Sequence, residues 1–173
     1  MGRVKLRNIH TEPLPAMRLV GRRYTNFNRG PGGGYGEKWC EAQEPDGLLS
    51  QLNALPHPAG VEHGCLGFMR CDGTDEGFEY WIAVFCPAGA DVPEGLDFLD
   101  LPAGEAGVCW LFGREKDGIF GQHGKCEKAL KKRGLLPGTD PQGCKAFFER
   151  YAARWEQPDR KNRVILDYGI YLQ

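Results

Sequence analysis

Apolar positions along the chain follow two rhythms. Short runs that alternate or concentrate apolar, β-branched and aromatic side chains cover residues 3–9, 14–24, 64–70, 78–86, 96–101, 106–112 and 163–172. Runs of that length and make-up predict β-strands, whose side chains point to opposite faces in turn. Residues 46–55 keep a different spacing. There Leu48, Leu49, Leu52 and Leu55 share one face only if the segment is helical, and Pro56 and Pro58 close it. A second helix is predicted over 122–133, rich in lysine and ended by Gly134. Between strands, Asp72 to Gly77 has turn composition, and Arg29-Gly-Pro-Gly-Gly-Gly-Tyr-Gly36 breaks regularity altogether. That glycine segment lacks the Gly-Lys-Ser/Thr ending of a phosphate cradle, so it reads as a mobile loop, a candidate lid.

The order strand, strand, helix, strand, strand occurs twice, and a tripeptide marks the repeat. Leu14-Pro15-Ala16 returns as Leu101-Pro102-Ala103, 87 residues on in a chain of 173, each time between two predicted strands. Self-similarity at one fixed offset points to a fold built twice from one supersecondary unit. The predicted fold class is α+β: a duplicated strand-strand-helix-strand-strand unit forming two antiparallel sheets or halves, related by a pseudo-twofold axis with a cleft between them. One domain is expected over 1–173, with half-repeats of about 1–90 and 91–173. Neither half can bury its apolar face alone, and the seam where they pack is where a ligand is expected. The segment Cys144 to Trp155 is ambiguous: propensity favours a helix, whereas the duplication asks for a strand over 146–151 to match 64–70. The strand is the reading adopted, and it sets Phe147, Glu149 and Tyr151 on one face.

Charge and cysteine content narrow the function. The net charge of −1 gives no reason to expect direct nucleic-acid binding. Its distribution is uneven, with +6 over residues 1–40, −12 over 41–118 and +5 over 119–173. The acidic middle is either a solvated face or a surface that attracts cations. No apolar run approaches the roughly 20 residues that cross a bilayer. The N-terminus lacks the apolar core of a secretion signal. No membrane partner and a cytoplasmic location are therefore expected. Seven cysteines, an odd number without a Cys-x-x-Cys pair, read as free thiols. His63 with Cys65, and His123 with Cys126, do not make a four-ligand knot, so neither metal nor cofactor is expected.

Ser50 is the only serine, and none of His10, His57, His63 and His123 sits in a nucleophile-elbow or zinc-helix motif. Aromatic residues instead gather on predicted strands: Tyr80 and Trp81, Trp110 and Phe112, Phe147 and Tyr151, Tyr168 and Tyr171. They are either plain core or the walls of an apolar cleft, and aromatic faces attract cations. Glu149, between Phe147 and Tyr151, is the carboxylate placed to add an opposite charge in low dielectric. Burying it unpaired is costly, so it implies a ligand, a proton-transfer task or a hidden partner such as an arginine. The candidate ligand-binding residues are thus Glu149, Tyr80, Trp110, Phe112, Phe147 and Tyr151. Glu149 is also the one candidate catalytic group, able with Tyr151 or Tyr80 to activate water.

Several segments, in order along essentially the whole chain, resemble the GyrI-like, or AraC-type effector-binding, small-molecule-binding family. They are Leu14-Pro-Ala-Met-Arg-Leu-Val-Gly-Arg-Arg-Tyr24, Phe78-Glu-Tyr-Trp-Ile82, Val92-Pro-Glu-Gly-Leu96, Leu101-Pro-Ala-Gly104, Phe148-Glu149-Arg-Tyr151 and the closing strand Arg163 to Leu172. The resemblance implies a duplicated α/β fold with a cleft between halves that binds varied, often cationic and apolar, small molecules. It also implies a glutamate in an aromatic cleft that contacts the ligand, at the position of Glu149. Members include effector domains of transcription regulators, stand-alone drug-binding proteins, gyrase-inhibitor proteins and hydrolases of cyclopropane-bearing toxins. This chain starts directly at the first strand and resembles the stand-alone type. It departs from the family pattern in having Asp167 and Gly169 where Glu and Trp are usual, and in lacking a Gly-Pro-aromatic pattern over Arg114 to Gly121.

Three functions are consistent with these features. The first is a binding module for an amphipathic, cationic aromatic small molecule. The second is a hydrolase of strained electrophiles that uses Glu149. The third is a protein-interaction module, such as a topoisomerase modulator, that uses the acidic middle segment.

Overall fold

The computed structural model describes residues 3–173. Its elements are β1 (Lys5–Leu14), β2 (Met17–Thr25), α1 (Gly36–Ala42), α2 (Leu48–Asn53), β3 (Cys65–Cys71), β4 (Glu79–Pro87), β5 (Asp97–Leu101), β6 (Gly104–Gly113), α3 (His123–Lys131), β7 (Lys145–Tyr151) and β8 (Val164–Tyr171). All strand pairs are antiparallel and form one sheet of eight strands, in the order β1-β6-β8-β7-β3-β4-β2-β5. The fold class is α+β as expected, with the strands of the two halves joined edge to edge in a single sheet. Residues 145–151 form a strand, as the duplication required. The irregular glycine segment is present, but it passes directly into α1, a seven-residue helix that the apolar spacing did not reveal.

The strand order is a palindrome. Exchanging each strand of the first half with its counterpart in the second reads the order backwards unchanged. The pseudo-twofold axis falls between β3 and β7, where Phe68 faces Phe148. The two Leu-Pro-Ala corners obey the same symmetry: Leu14 pairs with Gly104, and Leu101 pairs with Met17. These corners also set the shape of the sheet. Strands β1 and β2 lie six positions apart, which in a flat sheet is about 29 Å. Yet only Pro15 and Ala16 separate them, and three peptide steps reach at most about 11 Å. The sheet must therefore curl until its two edges approach each other.

Curling gives the sheet an inner face. One core cluster draws residues from both ends of the strand order, including Leu14, Met17, Leu19, Leu101, Ala106 and Val108, around Phe68, Phe85 and Phe148. The outer face carries the helices. In the first half α1 and α2 cover Val20, Ile82 and Val84, and in the second α3 covers Cys109, Leu111 and Leu166. No helix of the described residues is long and apolar enough to cross a membrane. All seven cysteines are free thiols.

The departure at Gly169 has a packing reason. Trp81 pairs with Phe68 and Gly169 pairs with Phe148, so Gly169 is the symmetry mate of Trp81. The Phe148 ring lies directly over Gly169, and a Cβ there would overlap it. Gly169→Ala is therefore expected to destabilise the protein by about 1–3 kcal/mol through overpacking. Gly104→Ala, where a Cβ meets nothing within 4 Å, should stay within about 0.5 kcal/mol of the parent. Chemical denaturation of the two variants checks this, and equal stabilities would contradict the packing assignment.

Candidate ligand-binding site

On the outer face, over the central strands, a cavity of about 890 Å³ opens between the helices of the first half and the turn that follows β7. That volume is in the range of small-molecule sites. Strand β3 contributes Cys65 and Met69, β4 contributes Tyr80, and β7 contributes Glu149 and Tyr151. Tyr35 and Trp39, at the start of α1, form one wall; Phe120 and Trp155 form the other. The rings make a continuous lining. Tyr35 stacks on Tyr80 with centroids 4.1 Å apart, Trp39 meets Tyr151 edge-on at 5.0 Å, and Tyr151 meets Trp155 edge-on at 5.0 Å. Phe120 lies 5.8 Å from Trp155. Trp39 Nε1 donates to Tyr80 Oη at 2.8 Å, which ties helix to sheet.

Glu149 stands among these rings with 7% of its surface exposed. Its one side-chain hydrogen bond comes from Tyr151 Oη, which donates to Oε2 at 3.2 Å. Among the described residues, no lysine or arginine lines the cavity. Burial pushes the Glu149 carboxyl up to about 7, against the smaller opposing effect of the Tyr151 hydrogen bond. Burial, reinforced by the Glu149 charge, raises the Tyr80 and Tyr151 phenols well above their ordinary range, so both remain protonated donors. Burial pushes the Cys65 thiol up to about 12, which keeps it out of the thiolate form at neutral pH. Gly67, paired with Glu149 across the central strands, makes room for the polar groups. A Cβ there would stand 2.7 Å from Tyr80 Oη and 3.4 Å from Glu149 Oε2.

The arginine that could have neutralised Glu149 is its neighbour in sequence, and strand geometry sends it to the other face. Arg150 is fully buried in the inner face. There it donates to Glu12 at 2.8 and 2.9 Å and to Asp167 at 2.8 and 3.0 Å. Arg154 also bonds Asp167. Asp167 is thus the buried counter-ion of two arginines.

The residues singled out in the sequence divide into two groups. Glu149, Tyr80 and Tyr151 come together in the cavity. Phe147 shares their face but lies to one side, packed between His123 of α3 and Tyr168. Trp110 is on the inner side of the sheet, against the inner core and under the Arg154 guanidinium at 4.4 Å. Phe112, two residues along β6 on that same side, lies under Arg7 and Arg163 at the rim. Both therefore stand apart from the outer-face cavity that they were expected to wall. Tyr35, Trp39, Phe120 and Trp155 line it instead. The sequence signs of them were Tyr35 within and Trp39 just after the glycine segment, and Trp155 closing the Cys144–Trp155 run; Phe120 left none.

No family model and no curated protein matches the chain. Solved structures do. A Staphylococcus aureus MU50 protein proposed to act in transcription regulation aligns over 96% of this chain and 98% of its own, with a TM-score of 0.65 and 16% identity. SAV2435 bound to tetraphenylphosphonium aligns over 96% and 94%, with a TM-score of 0.64 and 16% identity. An uncharacterised conserved protein from Listeria innocua aligns over 96% and 93%, with a TM-score of 0.53 and 9% identity. At these identities the likeness is one of fold: the chain has the α+β fold of these proteins.

A carboxyl raised by burial makes stability depend on pH. The folded form holds the Glu149 proton more tightly than the unfolded chain does. Below about 4.5 the group is neutral in both states and costs nothing, and the penalty grows as pH rises and is complete above about 7. The full effect is on the order of 3 kcal/mol. Glu149→Gln should remove it, so the variant gains stability over the parent at pH 8 and loses that advantage at pH 4.5. Denaturation curves at the two pH values check this, and an advantage of equal size at both would contradict the burial of an ionising carboxyl.

Proposed function

We propose that the chain is a GyrI-like binding protein for amphipathic, aromatic small-molecule cations, held in the outer-face cavity with Glu149 as counter-charge. The observation that carries this reading is a buried carboxyl among aromatic rings, in a cavity that no lysine or arginine of the described residues lines. An apolar cation would bring the missing charge. It would also place its own apolar surface against Tyr35, Tyr80, Trp39, Tyr151 and Trp155, whose ring faces attract positive charge. At about 5 Å and an effective dielectric of about 20, the ion pair is worth on the order of 3 kcal/mol before ligand desolvation is subtracted. The ligand held by SAV2435, tetraphenylphosphonium, is a cation of this kind and supports the choice. Binding of this sort suits a cytoplasmic effector or drug sensor, a role in keeping with the regulatory role proposed for the S. aureus structural neighbour.

A second reading draws on the same carboxyl. A group that titrates near 7, with a protonated tyrosine 3.2 Å away, suits a general base that activates water against a strained electrophile, such as a cyclopropane-bearing toxin. Turnover of such a substrate that is lost in Glu149→Gln would favour it over binding alone.

Paired titrations test the first reading. Glu149→Gln should weaken tetraphenylphosphonium by about 10-fold or more, and change the neutral triphenylphosphine oxide by less than about 3-fold. In the parent protein, affinity for the cation should climb from pH 6 to pH 8 as Glu149 ionises, then level off; in the variant it should be flat. Calorimetry or tryptophan quenching reads both. Equal losses for the two ligands would reject the counter-charge role.

A further inference from the structure

The cavity does not end at Trp155. A second hollow of about 470 Å³ adjoins it and shares two lining residues with it, Trp155 and Glu115. A third, of about 330 Å³, shares Arg114 and Lys161 with the second. The sign of the charge reverses along this path. The first cavity carries Glu115, Glu149 and Glu156 and no lysine or arginine. The second carries Arg114, Lys116 and Lys161, and the third adds Arg3, Lys5 and Arg163. Arg114 and Arg163 are paired with Asp117 and Asp159. The Lys116 and Lys161 ammonium groups have no carboxylate partner among the described residues.

Resting on the cation-binding reading above, we propose that the preferred ligand is dipolar: an aromatic cation in the Glu149 cavity whose anionic tail crosses Trp155 to reach Lys116 and Lys161. Charged linings of opposite sign, joined through shared side chains, select for a molecule that satisfies both. A simple cation leaves the basic trough empty, and a simple anion meets the acidic cavity. The trough is open to water, so its contribution is that of exposed charges, of modest size and screened by salt. It adds orientation and selectivity to an affinity set mainly in the enclosed cavity.

The test uses triphenylphosphonium ions that carry an alkyl chain of graded length ending in either a carboxylate or a methyl group, with tetraphenylphosphonium as reference. At low salt, one carboxylate-ended length should bind about 5-fold tighter than its methyl-ended counterpart. The advantage should fade at 0.5 M salt and disappear in the double variant Lys116→Gln, Lys161→Gln, which should bind tetraphenylphosphonium no more weakly than the parent. Carboxylate tails that are never preferred at any length, or a preference that survives the double variant, would overturn the proposal. Tetraphenylphosphonium binding with no tail preference sinks the dipolar ligand alone. A tail preference without tetraphenylphosphonium binding sinks the counter-charge reading instead.

Discussion

Glu149 and Arg150 are adjacent in sequence, opposite in charge and unable to meet. A β-strand turns successive side chains to opposite faces, and β7 is buried on both. The guanidinium therefore enters the inner face, where Glu12 and Asp167 saturate it. The carboxyl enters the outer face, among aromatic rings, where no lysine or arginine of the described residues lines the cavity. An unpaired buried carboxyl responds by raising its pKa and holding its proton. That response leaves the folded protein less stable above neutral pH than it would be with a neutral residue; in the proposed function, a positive charge brought from outside relieves it.

Duplication supplies the frame, and departures from symmetry supply the chemistry. Phe68 faces Phe148 on the axis, so Met69 is the mate of Glu149, Cys71 of Tyr151 and Arg70 of Arg150. The arginines keep a common role as inner-face ion-pair formers, Arg70 with Asp140 and Arg150 with Asp167. The outer face has diverged, with a glutamate in one half where the other has a methionine. Tyr80 and Tyr168 are also mates, by their neighbours Trp81 and Gly169. Tyr80 lines the cavity, whereas Tyr168 lies beside α3, hydrogen-bonded to His123 at 2.8 Å. The cavity over the axis is consequently one-sided, with one buried carboxylate, Glu149, and its aromatic walls drawn from unlike elements.

Much of this frame was legible in the sequence because the signals were local and repeated. The paired Leu-Pro-Ala corners revealed the duplication, and the duplication in turn decided strand over helix for residues 146–151 against their helical propensity. Glu149 stood out because a lone acid between aromatic residues on a strand is costly. The cavity walls were less legible. Trp110 and Phe112 sit on β6, where both faces are apolar, and alternation then shows that neighbours diverge without showing which face carries the helices. Helix α1 has seven residues, begins at a glycine and lacks an apolar stripe, so Tyr35 and Trp39 looked like the end of a loop. Trp155 lies in a turn whose position depends on where β7 stops. The charge reversal beyond Trp155 joins Lys116 to Lys161, residues 45 apart in sequence, and only tertiary structure brings them together.

The state of the Glu149 carboxyl is the most direct test. Selective ¹³C labelling of glutamate side chains, with Glu149→Gln to assign the signal, allows it to be titrated by NMR in the free protein and in protein saturated with tetraphenylphosphonium. The expected midpoint is near 7 in the free protein, moving well below that, toward the ordinary carboxylate range, when the cation is bound. An ordinary midpoint near 4.5 in the free protein, or a raised one that saturating ligand leaves in place, would contradict a buried carboxyl held in reserve for a positive charge.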